Sequence, residues 1–200
     1  FSKLPILIWF GGALLGWIAG AFLSVQVTFY ILIAFILTYG VESTNLVRDD
    51  MLSAVLIGSA IMVPFLFLFS SYSDRNGRRG IFMLGSILTA IWAFALFPLV
   101  DTGNFWMAVL AITVGLVFLA MMYGPQAAFF AELFSTEVRY SGVNLGYQLG
   151  AILGGAFAPT IAITLSTNFG IFWVSVYIAI ASMLTFISVV FLTETYKSDL

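Results

Sequence analysis

The charged side chains of this 200-residue sequence are few, and two short segments hold most of those whose spacing could do chemistry. The first, 70–79, reads Ser-Ser-Tyr-Ser-Asp-Arg-Asn-Gly-Arg-Arg and places one carboxylate beside three guanidinium groups. In the second, Glu132 and Arg139 lie on either side of a predicted helix end. Asn76-Gly77 supplies a left-handed turn in the first segment. Such a basic turn could simply hold a loop in water beside a membrane. That role explains Arg78 and Arg79 but not the order acid, base, turn, base, base.

The residues that the sequence lacks exclude several classes of function. It contains no His and no Cys, so it cannot form a Ser-His triad, a thiol nucleophile or a His- or Cys-ligated zinc site. Paired carboxylates are also missing from the apolar runs. We therefore expect no enzymatic activity, no cofactor and no metal. The formal net charge of −2 offers no basic surface for nucleic acid.

The composition indicates that lipid is the solvent of this chain. Hydrophobic residues make up 62% of the sequence and charged residues 8%, and the mean hydropathy is +1.12. A soluble domain has about 25% charged residues, and too few polar side chains remain here to cover a soluble core. The fold class predicted is an all-α, multi-pass membrane protein of the plasma membrane or the bacterial inner membrane.

Runs without charge predict how many helices cross the membrane. A helix needs about 20 residues to cross the hydrocarbon core, and the run 140–193 is long enough for two helices with a turn at 166–170. The run 4–41 has no convincing turn, so we expect an interfacial or tilted start followed by one span. Six transmembrane helices result, called spans 1 to 6 below, and their predicted ranges are 15–40, 52–72, 80–100, 105–131, 141–165 and 171–192.

The basic residues predict the orientation of these spans. Six of the seven Lys and Arg residues fall in the two tails and in the second and fourth loops, while Arg48 alone lies in the other three loops. Basic residues favour the cytoplasmic side of a membrane. We therefore expect both termini in the cytoplasm. The six residues on that side are Lys3, Arg75, Arg78, Arg79, Arg139 and Lys197.

The two charged segments resemble a known family. Segment 70–79 is similar to the Gly-x-x-x-Asp-Arg-x-Gly-Arg-Arg loop of the major facilitator superfamily, with Ser70 where Gly is usual. Segment 122–150, with its Tyr-Gly-Pro-Gln start and its Leu-Gly-Tyr-Gln-Leu-Gly end, looks like the tenth helix, the next loop and the eleventh helix of the metabolite:proton symporter branch. Val25-Gln26 departs from that branch, which has an acidic residue followed by Asn at this place.

The resemblance implies that this chain corresponds to helices seven to twelve, the C-terminal six-helix half-bundle of such a transporter, and that an N-terminal half is absent from it. In the family, loop charges bridge helix ends and lock the cytoplasmic face in one of two states. The resemblance assigns this role to two loops of this chain, 73–80 and 132–141. The residues carried over, called the gate residues below, are Asp74, Arg75, Gly77, Arg78, Arg79, Glu132 and Arg139. They could also merely sit among lipid headgroups.

The same resemblance places spans 1 and 4 along a central cavity and span 5 at its flank. Amides and phenols on these spans could hydrogen-bond a polar solute while aromatic rings pack its apolar part. Hydrogen bonding between helices is the alternative role of the same side chains. The cavity candidates are Gln26, Phe29, Tyr30, Tyr123, Gln126, Phe130 and Gln148.

Small residues form two stripes that predict close helix packing. Span 5 carries Gly142, Gly146, Gly150 and Gly154 at steps of four, which keeps them on one slowly winding face. Span 1 carries a similar stripe from Gly12 to Thr28. Such stripes let helix backbones approach closely in a membrane.

These observations favour a secondary active transporter that binds its substrate between two six-helix bundles. The resemblance implies proton-coupled symport of a small organic acid or a zwitterionic osmolyte. No charged residue lies centrally in a predicted span, so the proton carrier would belong to the other half. A six-helix channel and a homodimeric semi-carrier are the alternatives. A channel would need a charged ring or a filter-like loop, and the sequence has neither.

Overall fold

The computed structural model describes residues 4–134 and 136–192, with the side chains of residues 12–134 and 136–192. Six helical stretches are long and apolar enough to cross a membrane, which confirms the predicted fold class. No strand occurs in the described residues. The six spans are Gly12–Ser43, Arg48–Asn76, Arg78–Asp101, Phe105–Ala131, Arg139–Phe169 and Ile171–Phe191.

Spans 1 and 5 each contain a π-helical segment that the amino-acid sequence did not predict. Span 1 runs as a helix Leu4–Tyr30, a π-helical segment Ile31–Phe35 and a helix Ile36–Ser43. Its N-terminal part is therefore continuous with the span, without a separate interfacial segment. Span 5 consists of a helix Arg139–Gly150, a π-helical segment Ala151–Ala156 and a helix Ala158–Phe169. Single π-helical turns inside α-helices are rare and often mark functional positions.

The connections between spans are shorter than predicted. Helix continues through most of the predicted loop 73–80, because span 2 ends at Asn76 and span 3 begins at Arg78. Gly77 alone separates them, with φ +99°, a conformation that glycine adopts far more readily than other residues. Gly170 makes the same kind of break between spans 5 and 6, with φ +95°. Span 4 begins at an N-cap, where Asn104 Oδ1 accepts a hydrogen bond of 2.9 Å from the Trp106 amide.

Packing places spans 1, 3 and 4 inside the bundle and leaves span 2 mostly at its surface. Span 2 packs on span 4, span 3 packs on spans 4 and 6, and span 1 packs on spans 5 and 6. Large apolar side chains such as Leu56, Phe67 and Trp106 are exposed on the outside. Apolar side chains are not penalised for contacting lipid, which is itself apolar, so their exposure fits a membrane-embedded bundle.

Candidate functional site

Arg78 is the centre of an ion-pair network at one face of the bundle. Its Nη2 lies 3.0 Å from Asp74 Oδ1, one helical turn earlier across Gly77. Its Nη1 forms a salt bridge with Glu132 Oε1, immediately after span 4. We call Asp74, Arg78 and Glu132 the Arg78 network. It joins the ends of spans 2 and 4 to the start of span 3.

The two carboxylates of the Arg78 network differ in exposure. The Asp74 side chain is 56% exposed, whereas those of Glu132 and Arg78 are 23% and 13% exposed. Exposed ion pairs contribute little to stability because water and salt screen them. Removing one partner of a buried pair is costly, because the other charge is left unpaired. Glu132 therefore contributes more to the network than Asp74.

The other gate residues contact different parts of the same face. Arg79 Nη2 donates a hydrogen bond of 2.6 Å to the carbonyl oxygen of Val190, near the end of span 6. Arg139 Nε donates one of 3.3 Å to the carbonyl oxygen of Phe134, in the loop that precedes span 5. Arg75 lies in the last turn of span 2. Adjacent arginines thus tie the start of span 3 to span 4 through Arg78 and to span 6 through Arg79.

The glycine stripe of span 5 lies against span 1. A Cβ atom built on Gly146 would be 2.5 Å from Ile18 Cγ2, and one on Gly150 would be 2.5 Å from Phe22 Cβ. One on Gly154 would be 2.9 Å from the carbonyl oxygen of Leu23. These distances are too short for any side chain larger than hydrogen. Gly142, the first member of the stripe, faces the Phe134 ring instead.

Two of the predicted cavity residues of span 1, Gln26 and Tyr30, lie against the π-helical segment of span 5. Gln26 is buried, while Phe29 and Tyr30 are exposed and their rings pack edge to face. A Cβ atom on Gly155 would lie 2.7 Å from Tyr30 Cε2 and 3.6 Å from Gln26 Oε1. The absence of a side chain at Gly155 therefore makes room for the tyrosine ring and the amide.

The predicted cavity residues of spans 4 and 5 have different environments. Tyr123 and Gln148 are exposed, and Gln126 is 7% exposed, with no hydrogen-bond partner for Oε1 among the described residues. Phe130 is fully buried among the rings of Phe22, Phe82 and Phe129. The Phe130 ring therefore has no exposed surface in this structure, and its place along a cavity stays a prediction. The residue instead packs between the helices because its face of span 4 points into the bundle.

A polar contact at the opposite face was not predicted. The hydroxyl of Tyr39 donates a hydrogen bond of 2.5 Å to Asp101 Oδ1 and joins the end of span 1 to the end of span 3. The Tyr39 ring also packs on Phe35 and Phe97. The sequence held one signal, a tyrosine and an aspartate that both fall at span ends on the same side. The bundle is thus held by polar contacts at both faces.

Comparison with known proteins indicates the same family as the charged loops do. The sequence profile of the Major Facilitator Superfamily matches residues 50–199. The inner membrane metabolite transport protein YhjE of Escherichia coli (strain K12) is 35% identical over 188 residues, which cover 89% of this chain and 42% of that protein. No solved structure matches significantly.

Two further relatives carry more specific names. The shikimate transporter of Escherichia coli (strain K12) is 32% identical over 167 residues, 80% of this chain and 38% of that protein. The proline/betaine transporter of the same strain is 26% identical over 185 residues, 90% of this chain and 36% of that protein. The chain thus spans less than half the length of these curated relatives. Its six apolar helices, its charged loops and the profile match together confirm the predicted resemblance, and the chain belongs to the Major Facilitator Superfamily.

Proposed function

We propose that this chain forms one six-span half of a secondary active transporter that moves a small polar metabolite by alternating access. The observation that carries the proposal is the Arg78 network. It links three span ends at one face of this bundle, and the chain is a member of a transporter family. Ion pairs at span ends can be broken and remade when a bundle rocks. The other half of the transporter is a second six-span bundle, from the same polypeptide or from a second copy.

Polar side chains on spans 1 and 4 support a substrate site between the two bundles. Tyr30 and Tyr123 are exposed at the surface of this bundle. Gln126 Oε1 is buried and has no hydrogen-bond partner among the described residues, so in this proposal it accepts a hydrogen bond from a solute only when span 4 moves and exposes it. Gln26, Phe29 and Gln148 complete the candidate set, in which the amides bind polar groups and the rings pack apolar ones.

The substrate class proposed is a small organic acid or a zwitterionic osmolyte. Relatives named for shikimate and for proline and betaine support this range. Protons are the proposed coupling ion. In the described spans, acidic residues lie at or near the ends and none lies centrally. The group that carries the proton therefore belongs, in this proposal, to the second bundle, because a coupling site must be reached from both sides in turn.

We place the Arg78 network in the cytoplasm, which puts both termini on that side. Arg75, Arg78, Arg79 and Arg139 lie at this face and Arg48 at the other, as the preference of basic residues for the cytoplasm favours. Lys3 and Lys197 lie outside the described residues, and their place in the cytoplasm stays a prediction.

Single introduced cysteines test this orientation, because these 200 residues contain none, and the protein without the introduced cysteines measures any labelling of the second bundle. Asn76 and Asn45 form a matched pair, since both are exposed and lie at opposite faces of the bundle. In intact cells we expect a membrane-impermeant maleimide to label Asn45→Cys but not Asn76→Cys. Permeabilised cells should label both variants. Labelling of Asn76→Cys alone in intact cells would reverse the proposed orientation.

Solute uptake under an imposed pH gradient tests the proposed coupling. The protein, with its second bundle, is reconstituted into liposomes and given labelled shikimate, proline or glycine betaine in parallel. For one of these solutes we expect an inward proton gradient to raise initial uptake several-fold above uptake without a gradient. A protonophore should remove the difference. Saturable uptake with the same initial rate with and without the proton gradient would contradict proton coupling, but not the proposal that the protein is a transporter.

A further inference from the structure

A threonine of span 6 forms two hydrogen bonds with the backbone of span 1. The Oγ1 atom of Thr185 accepts one of 2.9 Å from the Ser24 amide and donates one of 2.8 Å to the carbonyl oxygen of Gly20. In an α-helix these two backbone groups belong to one bond, because each amide donates to the carbonyl four residues earlier. The Thr185 hydroxyl thus bridges the ends of one turn of span 1. We call Thr185, Gly20 and Ser24 the Thr185 bridge.

The contact around the Thr185 bridge is closely packed and buried. The hydroxyls of Ser24 and Ser182 share a hydrogen bond of 2.8 Å, and Ser24, Ser182 and Thr185 are 0% exposed. A Cβ atom at Gly20 would overlap the Ser188 side chain. Gly20 therefore lets span 6 come close enough for a hydroxyl group to reach the backbone of span 1.

The direction of the Thr185 hydroxyl differs from that of most threonines in membrane helices. Such hydroxyls commonly donate to a carbonyl of the preceding turn of their own helix, as Thr164 does to Thr160 at 2.8 Å. A bond of that kind involves one helix only. The hydroxyl of Thr185 donates instead to Gly20 of another span, so this bond fixes the position of span 1 on span 6.

The Thr185 bridge holds the stretch of span 1 that precedes two of the cavity candidates. Gln26 follows Ser24 by two residues, which turn a helix by about 200°, so the two side chains point in nearly opposite directions. Gln26 and Tyr30 lie against span 5, where a Cβ atom on Gly155 would be 2.7 Å from Tyr30 Cε2 and 3.6 Å from Gln26 Oε1. Span 1 is thus held between span 6 on one side and span 5 on the other, and a rotation of span 1 would move both candidates.

We propose that Thr185 is a positioning residue, whose hydroxyl fixes the rotation of span 1 and thereby holds Gln26 and Tyr30 in place for the substrate. This inference rests on the proposed function, in which both residues belong to the substrate site. Backbone polar groups inside a membrane must find partners within the protein. Without the hydroxyl, the Ser24 amide and the Gly20 carbonyl have only each other left as partners, so span 1 loses this attachment to span 6.

Uptake kinetics test this role in the protein with its second bundle, reconstituted into liposomes and given labelled shikimate, proline or glycine betaine. Valine has nearly the shape of threonine but no hydroxyl. We expect Thr185→Val to raise the KM about fivefold, which corresponds to about 1 kcal/mol of binding free energy, and to leave kcat within about twofold of the parent. Thr185→Ser keeps the hydroxyl and should restore the KM of the parent. A parental KM in the Thr185→Val variant would overturn the proposal.

Ser182→Ala is the matched control. It removes a buried hydroxyl from the same face of span 6, but that hydroxyl bonds to the side chain of Ser24 and leaves both backbone bonds of Thr185 in place. We therefore expect the KM of the parent. An equal rise of KM in Ser182→Ala and Thr185→Val would show that any lost polar contact between these spans acts alike, and it would overturn the specific role of Thr185.

Thermal unfolding in lipid nanodiscs supplies a readout that does not need transport. Thr185→Val should lower the thermal midpoint by about 2 °C, whereas Thr185→Ser should not. An unchanged midpoint for Thr185→Val would mean that the Thr185 bridge does not hold spans 1 and 6 together, and would also overturn the proposal. A parent that transports none of the three solutes would overturn the proposed function and the positioning role with it. A parent that transports, beside a Thr185→Val variant with the same KM, would overturn this inference alone.

Discussion

Replacing Gly150 with leucine should prevent spans 1 and 5 from packing and should abolish most of the folded protein. Even a Cβ atom at this position would lie 2.5 Å from Phe22 Cβ and 3.1 Å from the carbonyl oxygen of Ala19. The second neighbour is backbone, so it cannot move aside as a side-chain end can. Overpacking a tight core typically costs about 1–3 kcal/mol of folding free energy. For Gly150→Leu we expect a loss of about 3 kcal/mol or more. Thermal midpoint and the yield of monodisperse protein measure the loss.

Gly16→Leu is the control for this substitution. Gly16 belongs to the small-residue stripe of span 1, but nothing lies within 4 Å of a Cβ atom built there. The same change of residue type should therefore leave the thermal midpoint close to that of the parent. Equal stability of the Gly150→Leu and Gly16→Leu variants would contradict the close packing of spans 1 and 5.

The second large effect is expected for Glu132→Gln, which removes a carboxylate from the Arg78 network. Arg78 is 13% exposed, so the loss of Glu132 leaves a poorly hydrated guanidinium with a weaker partner. A change of about 1.4 kcal/mol in the balance between two states shifts their ratio tenfold. We expect initial transport to fall about tenfold at equal membrane levels, measured as uptake of labelled solute. The variant should still insert, because the network lies at the ends of the spans.

Substitutions of two other carboxylates serve as comparisons for Glu132→Gln. Asp74→Asn should impair transport less than Glu132→Gln, because the Asp74 side chain is 56% exposed and its ion pair is screened. Glu137→Gln, an exposed position in the loop after span 4, should have no effect. If Glu132→Gln transports as fast as the parent at matched membrane levels, the Arg78 network is not a gate.

The amino-acid sequence predicted the six spans because charges interrupt the apolar runs and a turn at 166–170 divides the longest of them. The repeat of four predicted that the small residues of span 5 share one helix face; Gly146, Gly150 and Gly154 lie against span 1, whereas Gly142 lies against the Phe134 ring. The sequence could not tell which arginine binds Glu132. Arg75, Arg78 and Arg79 all lie nearby, and the choice depends on the position of Gly77, which ends one helix and orients the next.

The remaining differences arise from packing, which hydropathy does not encode. Phe130 fits a cavity wall and a helix interface equally well by type, and its contacts with Phe22 and Phe82 place it at an interface in this structure. The π-helical segments Ile31–Phe35 and Ala151–Ala156 have the same apolar composition as the helices around them. The bond between Tyr39 and Asp101 needs the ends of two spans to meet. Each feature thus depends on residues far apart in the sequence.

Counterflow in proteoliposomes tests most directly whether this bundle belongs to an alternating-access transporter. Liposomes that contain the protein and its second bundle are loaded with unlabelled solute and diluted into a trace of the same labelled solute, without a pH gradient. The proposal predicts a transient accumulation of label above equilibrium that saturates with the internal solute, because each returning binding site carries label inward. Label that only equilibrates, together with a steady conductance across a planar bilayer, would indicate a channel and contradict the proposal.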